Sequence, residues 1–65
     1  MKLDWYAEGY AAGKVDRVLG MKPGPWLAFR QNFLYWSLCK NNGILFAPRG
    51  FWTFIMAYRL GVEGK

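Results

Sequence analysis

The sequence predicts an all-α protein, a small bundle of two to three short helices with Gly/Pro-rich connections. Two observations point to helices: apolar residues recur at three- and four-residue spacing, and clusters of glycine and proline separate the segments in which they do so. The third observation is length. The 65 residues suffice for a single small helical domain over residues 1–65, and a domain of this size buries only about 60% of the surface that its unfolded chain exposes.

The first helix is predicted over residues 4–19. Asp4 is a favourable N-cap, and Glu8 suits the positive end of the helix dipole. Gly9 and Gly13 each cost about 1 kcal/mol relative to alanine in a helix. Small residues four apart nevertheless favour close approach of another backbone; the alternative is exposed backbone near a ligand phosphate. The stripe expected to face the core consists of Ala7, Ala11, Val15 and Val18.

The second helix is predicted over residues 25–41, after a segment in which two glycines and two prolines end the first helix. Its large apolar side chains project onto one arc of about 200°. They are Trp26, Leu27, Phe29, Phe33, Leu34, Trp36 and Leu38. Arg30 and Lys40 lie inside this arc. Either their stems reach the rim of a core, or part of this face is not core and meets a partner.

The third helix is predicted over residues 50–60, with Gly61 at its end. Before it, Gly43 is suited to the left-handed cap that ends the second helix. The third helix is apolar almost all round, which is typical of a helix that is buried centrally or lies against another surface.

Pro48 and its neighbours interrupt the longest apolar stretch, so no transmembrane helix is expected. The N-terminus lacks the pattern of a signal peptide.

The charge of the chain is distributed unevenly. Nine Lys and Arg residues against four Asp and Glu residues give a net charge of +5. Residues 17–62 contain no acidic residue. The cations of this stretch must therefore face water or an external anion, which indicates an anionic partner.

The composition also excludes several chemistries. The chain has no His, so imidazole catalysis and histidine metal sites are excluded, and Cys39 is its single cysteine, so no internal disulfide is possible. Asp4, Glu8 and Asp16 are expected to be exposed, solubilising groups rather than an acid/base pair. We therefore expect a protein that is not an enzyme, that uses no cofactor or metal, and that is cytoplasmic.

A basic and aromatic face is the best candidate for function. The tyrosines and cations of the first helix project within about 80° of one another, where rings can stack on bases while cations neutralise phosphates. RNA is favoured over DNA because no recognised DNA-binding signature is present. The alternative is a solvated basic face whose tyrosines cover a small core. The candidate nucleic-acid-binding residues are Tyr6, Tyr10, Lys14, Arg17, Lys22 and Arg30.

The large number of aromatic residues is the second candidate. Either a very small domain uses large rings to enlarge its core, or the rings form a docking face. Such a face favours association with a larger protein, as a phage-encoded modulator or accessory subunit, or a homo-oligomer. The surface of an anionic membrane is the least favoured partner. The candidate protein-interface residues are Trp26, Phe29, Trp36, Phe51 and Trp52.

One short motif resembles a known family. Residues 9–14 read GYAAGK, which is similar to the Gly-Tyr-x-Ala-Gly element near the start of the ribosome modulation factor family, short basic helical proteins of bacteria with similar small proteins in phages. Pro25-Trp26 and Tyr35-Trp36 stand in comparable places, so the resemblance covers residues 5–36. It implies a two-helix core that binds the ribosome or its RNA and silences translation, with the third helix as an addition.

Overall fold

A computed structural model of the chain describes residues 3–45 and 47–65. These residues form three α-helices and no β-strand: α1 (Trp5–Val18), α2 (Pro25–Asn41) and α3 (Pro48–Glu63). The predicted all-α class is therefore confirmed, and the first two helices have the predicted bounds to within one residue. The third helix is longer than the predicted range of 50–60. Proline is tolerated in its first turn, and the helix continues through Gly61 to a left-handed Gly64, with a φ of 82°.

Local signals in the sequence set the other helix ends. The Asp4 carboxylate accepts a hydrogen bond of 3.1 Å from the backbone N–H of Ala7, as expected of an N-cap. Pro25 begins α2, where its missing N–H leaves no hydrogen bond unmade. Gly43 follows α2 with a φ of 66°, which confirms the predicted left-handed position.

The backbones of α1 and α3 are in direct contact, and the two helices run in the same direction. Gly9 lies beside Phe54 and Gly13 beside Gly61, so the residue numbers rise together along the interface. A Cβ atom at Gly9 or Gly13 would overlap the backbone of α3, and one at Gly61 would lie 2.6 Å from the carbonyl oxygen of Tyr10. The close approach predicted from the paired glycines of α1 is confirmed.

α2 runs antiparallel to α1 and α3 and packs against both. Its Arg30 reaches Asp16 near the end of α1, while its Tyr35 lies 5.4 Å from Trp5 at the start of α1, measured between ring centroids. The main core consists of three residues of α2 and three of α3: Leu27, Tyr35, Cys39, Phe54, Tyr58 and Val62. The three helices together measure 31 × 19 × 17 Å.

The face of α1 predicted to form the core is exposed. Val15 and Val18 lie largely in solvent, as do Ala7 and Ala11, whereas the buried residues of α1 are Gly9, Gly13 and Asp16. The reason is the contact with α3: only the glycine side of α1 permits two backbones to touch. The prediction of an Ala/Val core stripe is wrong.

α2 likewise turns most of its large aromatic arc outward. Trp26, Phe29, Phe33 and Trp36 are between 47% and 73% exposed, and of the predicted arc only Leu27 is fully buried. The opposite side faces the core with Gln31, Tyr35 and Cys39. Two long-range contacts stabilise this orientation. The Arg59 guanidinium donates to the Gln31 side chain at 3.3 Å, and the Tyr35 hydroxyl both accepts from the N–H of Ala47 and donates to its carbonyl oxygen, each at 3.1 Å.

Replacing Gly13 by alanine is expected to lower the free energy of unfolding by about 2–3 kcal/mol, because the added methyl group forces two backbones apart. The sign is informative, since alanine alone would favour the helix by about 1 kcal/mol. Urea denaturation measures the difference.

Gly24→Ala is the matched control, because Gly24 is extended and nothing lies within 4 Å of an added Cβ atom there. It is expected to change stability by less than about 1 kcal/mol. If Gly13→Ala is as stable as the original protein, α1 and α3 are not in backbone contact.

Candidate functional site

The first candidate surface is an exposed strip on α1, formed by Tyr6, Tyr10, Lys14 and Arg17, which we call the basic tyrosine strip. The rings of Tyr6 and Tyr10 are stacked, with centroids 6.1 Å apart and planes inclined by 14°. The Lys14 ammonium lies 5.1 Å from the centroid of the Tyr10 ring, within the range of a cation–π interaction. The structure therefore brings together the four candidate residues that α1 carries.

Tyr10 is the fixed member of this strip. Its hydroxyl donates a hydrogen bond of 2.6 Å to the carbonyl oxygen of Lys65, beyond the end of α3. Tyr6, one helical turn before Tyr10, stacks on the Tyr10 ring. Lys14, one turn after Tyr10, places its ammonium over the same ring. Tyr10 thus orients its neighbours, while Tyr6, with 48% of its surface exposed, is the ring most available for stacking on a ligand.

The cations of the strip are not neutralised by acidic side chains. Within residues 3–45 and 47–65 the ion pairs are Asp16–Arg30 and Glu63–Lys65, and neither includes Lys14 or Arg17. Both side chains are exposed, with the Arg17 guanidinium lying against Gly64 at the end of α3. The strip therefore presents two positive charges and an aromatic ring to solvent.

Grooves extend the basic tyrosine strip at both ends. At one end Arg17 and Lys22 line a groove that Glu63 and Lys65 also line. The candidate Lys22 therefore joins the strip next to one carboxylate.

At the other end of the strip, Arg49 lines a groove together with Tyr6 and Asp4. Arg49 is not one of the six candidate residues, although the sequence allows the cations of the later helices, Arg49 among them, to extend the basic face if those helices fold back beside the first. Its nearness to Tyr6 depends on α1 and α3 being parallel.

Arg30, the remaining cation among the candidates, is held by an internal carboxylate, so the expectation that the cations of residues 17–62 face water or an external anion is wrong for Arg30. Its Nε lies 3.0 Å from Asp16 Oδ2 and a terminal nitrogen lies 3.2 Å from Oδ1, a bidentate geometry. The Tyr58 hydroxyl donates a further hydrogen bond to Asp16 Oδ2. Asp16 is 1% exposed, so the expectation that it is a solubilising surface group is wrong. A contact between Arg30 and RNA stays a prediction.

The pKa of Asp16 reflects two opposing influences. Burial, the largest one, disfavours the charged form and raises the pKa of the carboxyl group. Hydrogen bonds from Arg30 and Tyr58, together with the positive charge of Arg30, outweigh it and hold the pKa below its ordinary value of 3.8. Burial and the hydrogen bond to Asp16 raise the pKa of Tyr58, so this hydroxyl stays protonated and remains a donor.

The second candidate surface lies on α2 and consists of Trp26, Phe29, Phe33 and Trp36, which we call the aromatic seam. The rings of Trp26 and Phe29 meet edge to face, with centroids 6.1 Å apart and planes inclined by 87°. The seam includes three of the five predicted interface residues and adds Phe33, which was not among them. The spacing of the four rings along one helix face was the available signal for Phe33.

The other two predicted interface residues are on α3. Phe51 is half-buried, with its ring edge to face against the Tyr35 ring and their centroids 5.0 Å apart, so it packs against the core. Trp52 is exposed but is not part of the seam on α2. The structure therefore does not gather all five predicted residues into one surface.

Comparison of the chain with protein-family models, curated proteins and solved structures gives no match. The resemblance to the ribosome modulation factor family stays a prediction from residues 5–36. In the described part of the chain, no three metal-binding side chains come together, and no helix has the length and apolarity needed to cross a membrane.

Asp16 is expected to make the stability of the protein sensitive to acid. Because its pKa is lower in the folded chain than its ordinary value of 3.8, the stabilisation is fully present above that pH and is lost as the pH falls through the folded value. Asp16→Asn is expected to lower the free energy of unfolding by about 2 kcal/mol at neutral pH and to flatten its decline below about pH 4. Urea denaturation across this pH range measures both effects.

Glu8→Gln, at an exposed position of the same helix, is the control and is expected to change stability by no more than about 0.5 kcal/mol. An acid-dependent decline that is the same with and without the Asp16 carboxylate would contradict its role.

Proposed function

We propose that the protein is a small, cytoplasmic, non-catalytic RNA-binding protein of the ribosome-associated type and that it binds through the basic tyrosine strip. The observation that carries this proposal is the exposed Tyr6 ring, followed along the same face by Lys14 and Arg17, whose charges no described acid neutralises. Stacking on an aromatic ring and neutralisation of phosphates are the two interactions by which proteins hold single-stranded nucleic acid.

The geometry suits an unpaired strand. From Tyr6 to Arg17 the strip covers eleven residues of α1, about 16 Å along the helix axis. A base placed on Tyr6 leaves the phosphates of the same strand to Lys14 and Arg17, with Lys22 beyond them. Proteins recognise RNA mainly through the unpaired bases of its loops, whereas DNA is mostly double-stranded, which favours RNA over DNA.

The resemblance of residues 9–14 to the ribosome modulation factor family supports the same proposal and implies ribosomal RNA as the class of target. Tyr10 and Lys14 belong both to that motif and to the strip. Gly9 and Gly13, the glycines of the motif, hold α1 against α3, and the strip borders this contact, since the Tyr10 hydroxyl reaches Lys65 beyond the end of α3.

Lys14→Glu is expected to weaken binding of a fluorescent, unstructured RNA of about 12 nucleotides by at least about tenfold at 0.1 M salt. In a plot of the logarithm of the affinity against the logarithm of the salt concentration, the slope is expected to become shallower by at least about 0.7. This is the contribution of one phosphate contact. Fluorescence anisotropy over a range of salt concentrations measures both quantities.

Lys40→Glu on α2 is the control, because it changes the net charge by the same amount at an exposed site away from the strip. It is expected to change affinity by less than about threefold. Equal losses in the two variants would show attraction by net charge alone, and binding that does not depend on salt would exclude phosphate contacts.

Tyr6→Ala tests the stacking interaction separately from charge. Loss of one base–ring contact is expected to weaken RNA binding by about 1–3 kcal/mol without changing the salt dependence. The same anisotropy titration measures the effect. An unchanged affinity would contradict a role for the Tyr6 ring.

A further inference from the structure

We propose that the aromatic seam of α2 is a docking site for an amphipathic helix of a partner protein, one whose apolar side chains are followed by acidic side chains at both ends. Apart from Lys22, which borders both surfaces, this site is separate from the RNA-binding strip. α2 contacts α1 on the side that carries Trp5 and Asp16, and the strip lies on average about 120° away around α1.

The spacing of the seam fits a helix. Its rings occur at positions 26, 29, 33 and 36, a spacing of three, four and three residues that keeps them on one stripe of α2. This is the pattern with which one helix packs along another. Although this stripe contains the largest apolar side chains of α2, it is turned to solvent, because the core is formed by the opposite side of the helix.

Positive charges bound the seam at both ends. Lys22 lines the same groove as Trp26 and Phe29. Lys40 follows Trp36 by four residues and so continues the stripe. α2 itself contains no Asp or Glu. The surface therefore presents a row of aromatic rings with one cation at each end. Trp26 and Lys40 are about 21 Å apart along the helix axis.

This charge pattern argues against a second copy of the chain as the occupant. If two copies of α2 lie antiparallel, Lys22 of each copy faces Lys40 of the other. If they lie parallel, each lysine faces the same lysine of the other copy. Like charges come together in both cases, which disfavours the pairing. A helix with Glu or Asp at both ends instead places opposite charges at both lysines while its apolar residues cover the rings.

The middle of the seam has room for such side chains. A groove beside Trp26, Phe29 and Phe33 is also lined by Met21 and Arg30. Methionine is flexible and adapts to different apolar partners. The Arg30 charge is compensated by Asp16, so an apolar side chain that enters this groove does not have to meet an unpaired charge.

A pair of synthetic peptides tests the proposal. Each has about 18 residues, with leucines at three- and four-residue spacing; one carries Glu at both ends and the other carries Lys. Titration followed by tryptophan fluorescence is expected to show at least tenfold tighter binding of the Glu-ended peptide. Equal binding of the two peptides, or no binding of either, would overturn the proposal.

Variants locate the binding site. Phe29→Ala combined with Phe33→Ala is expected to weaken binding of the Glu-ended peptide at least tenfold, whereas Trp52→Ala, an equally exposed ring on α3, is expected to leave it unchanged. Lys40→Glu is expected to weaken binding of the Glu-ended peptide and improve that of the Lys-ended one. Because Lys40 is exposed and outside the core, this variant keeps the test valid if the double variant does not fold.

Two further outcomes would assign the seam to another occupant. Sedimentation showing a dimer that the Phe29/Phe33 double variant abolishes would assign it to a second copy. Seam-dependent binding to anionic phospholipid vesicles, without binding to the peptide, would assign it to a lipid surface. Lys14→Glu is expected to leave peptide binding unchanged, so the failure of this proposal and that of RNA binding are distinguishable.

Discussion

The backbone contact between α1 and α3 is the constraint on which the rest of the structure depends. Gly9, Gly13 and Gly61 allow the two helices to approach more closely than any side chain would permit. Glycine adds no apolar surface, and α1 contributes no fully buried large apolar side chain, since its buried residues are Gly9, Gly13 and Asp16. The core must therefore be completed by α2. α1 leaves in solvent its Ala/Val face and the basic tyrosine strip, which borders the contact with α3.

A second constraint sets the rotation of α2. Asp16 is buried, so its carboxylate needs hydrogen-bond donors, and it finds them in Arg30 on α2 and Tyr58 on α3. Tyr35 fixes the other half of α2 through two hydrogen bonds to Ala47. With both halves held in this way, α2 has its aromatic seam in solvent, and the two candidate surfaces arise from the same packing arrangement.

The sequence predicted the features that depend on neighbouring residues. Asp4, Pro25 and Gly43 mark helix ends through local chemistry, and the three- and four-residue spacing of the strip places its members on one face of α1 whatever the fold. The rotation of α2 was not predictable in this way. A helical projection shows on which side of one helix the apolar side chains lie. It cannot reveal that Asp16 pairs with Tyr58, because these residues are 42 positions apart and belong to different helices. The same holds for Arg49, whose place beside Tyr6 depends on the parallel direction of two distant helices.

The rotation of α2 that places its aromatic seam in solvent is tested most directly by NMR. A soluble paramagnetic agent is added to the free protein, and the relaxation that it causes in the ring protons is measured. The structure predicts strong relaxation for the exposed rings of Phe29 and Phe33 and protection for the buried ring of Phe54. Protected Phe29 and Phe33 rings in a monomer, with Tyr35 strongly relaxed, would show α2 rotated by half a turn. That result would contradict the seam, the Asp16–Arg30 pair and the arrangement of the core together.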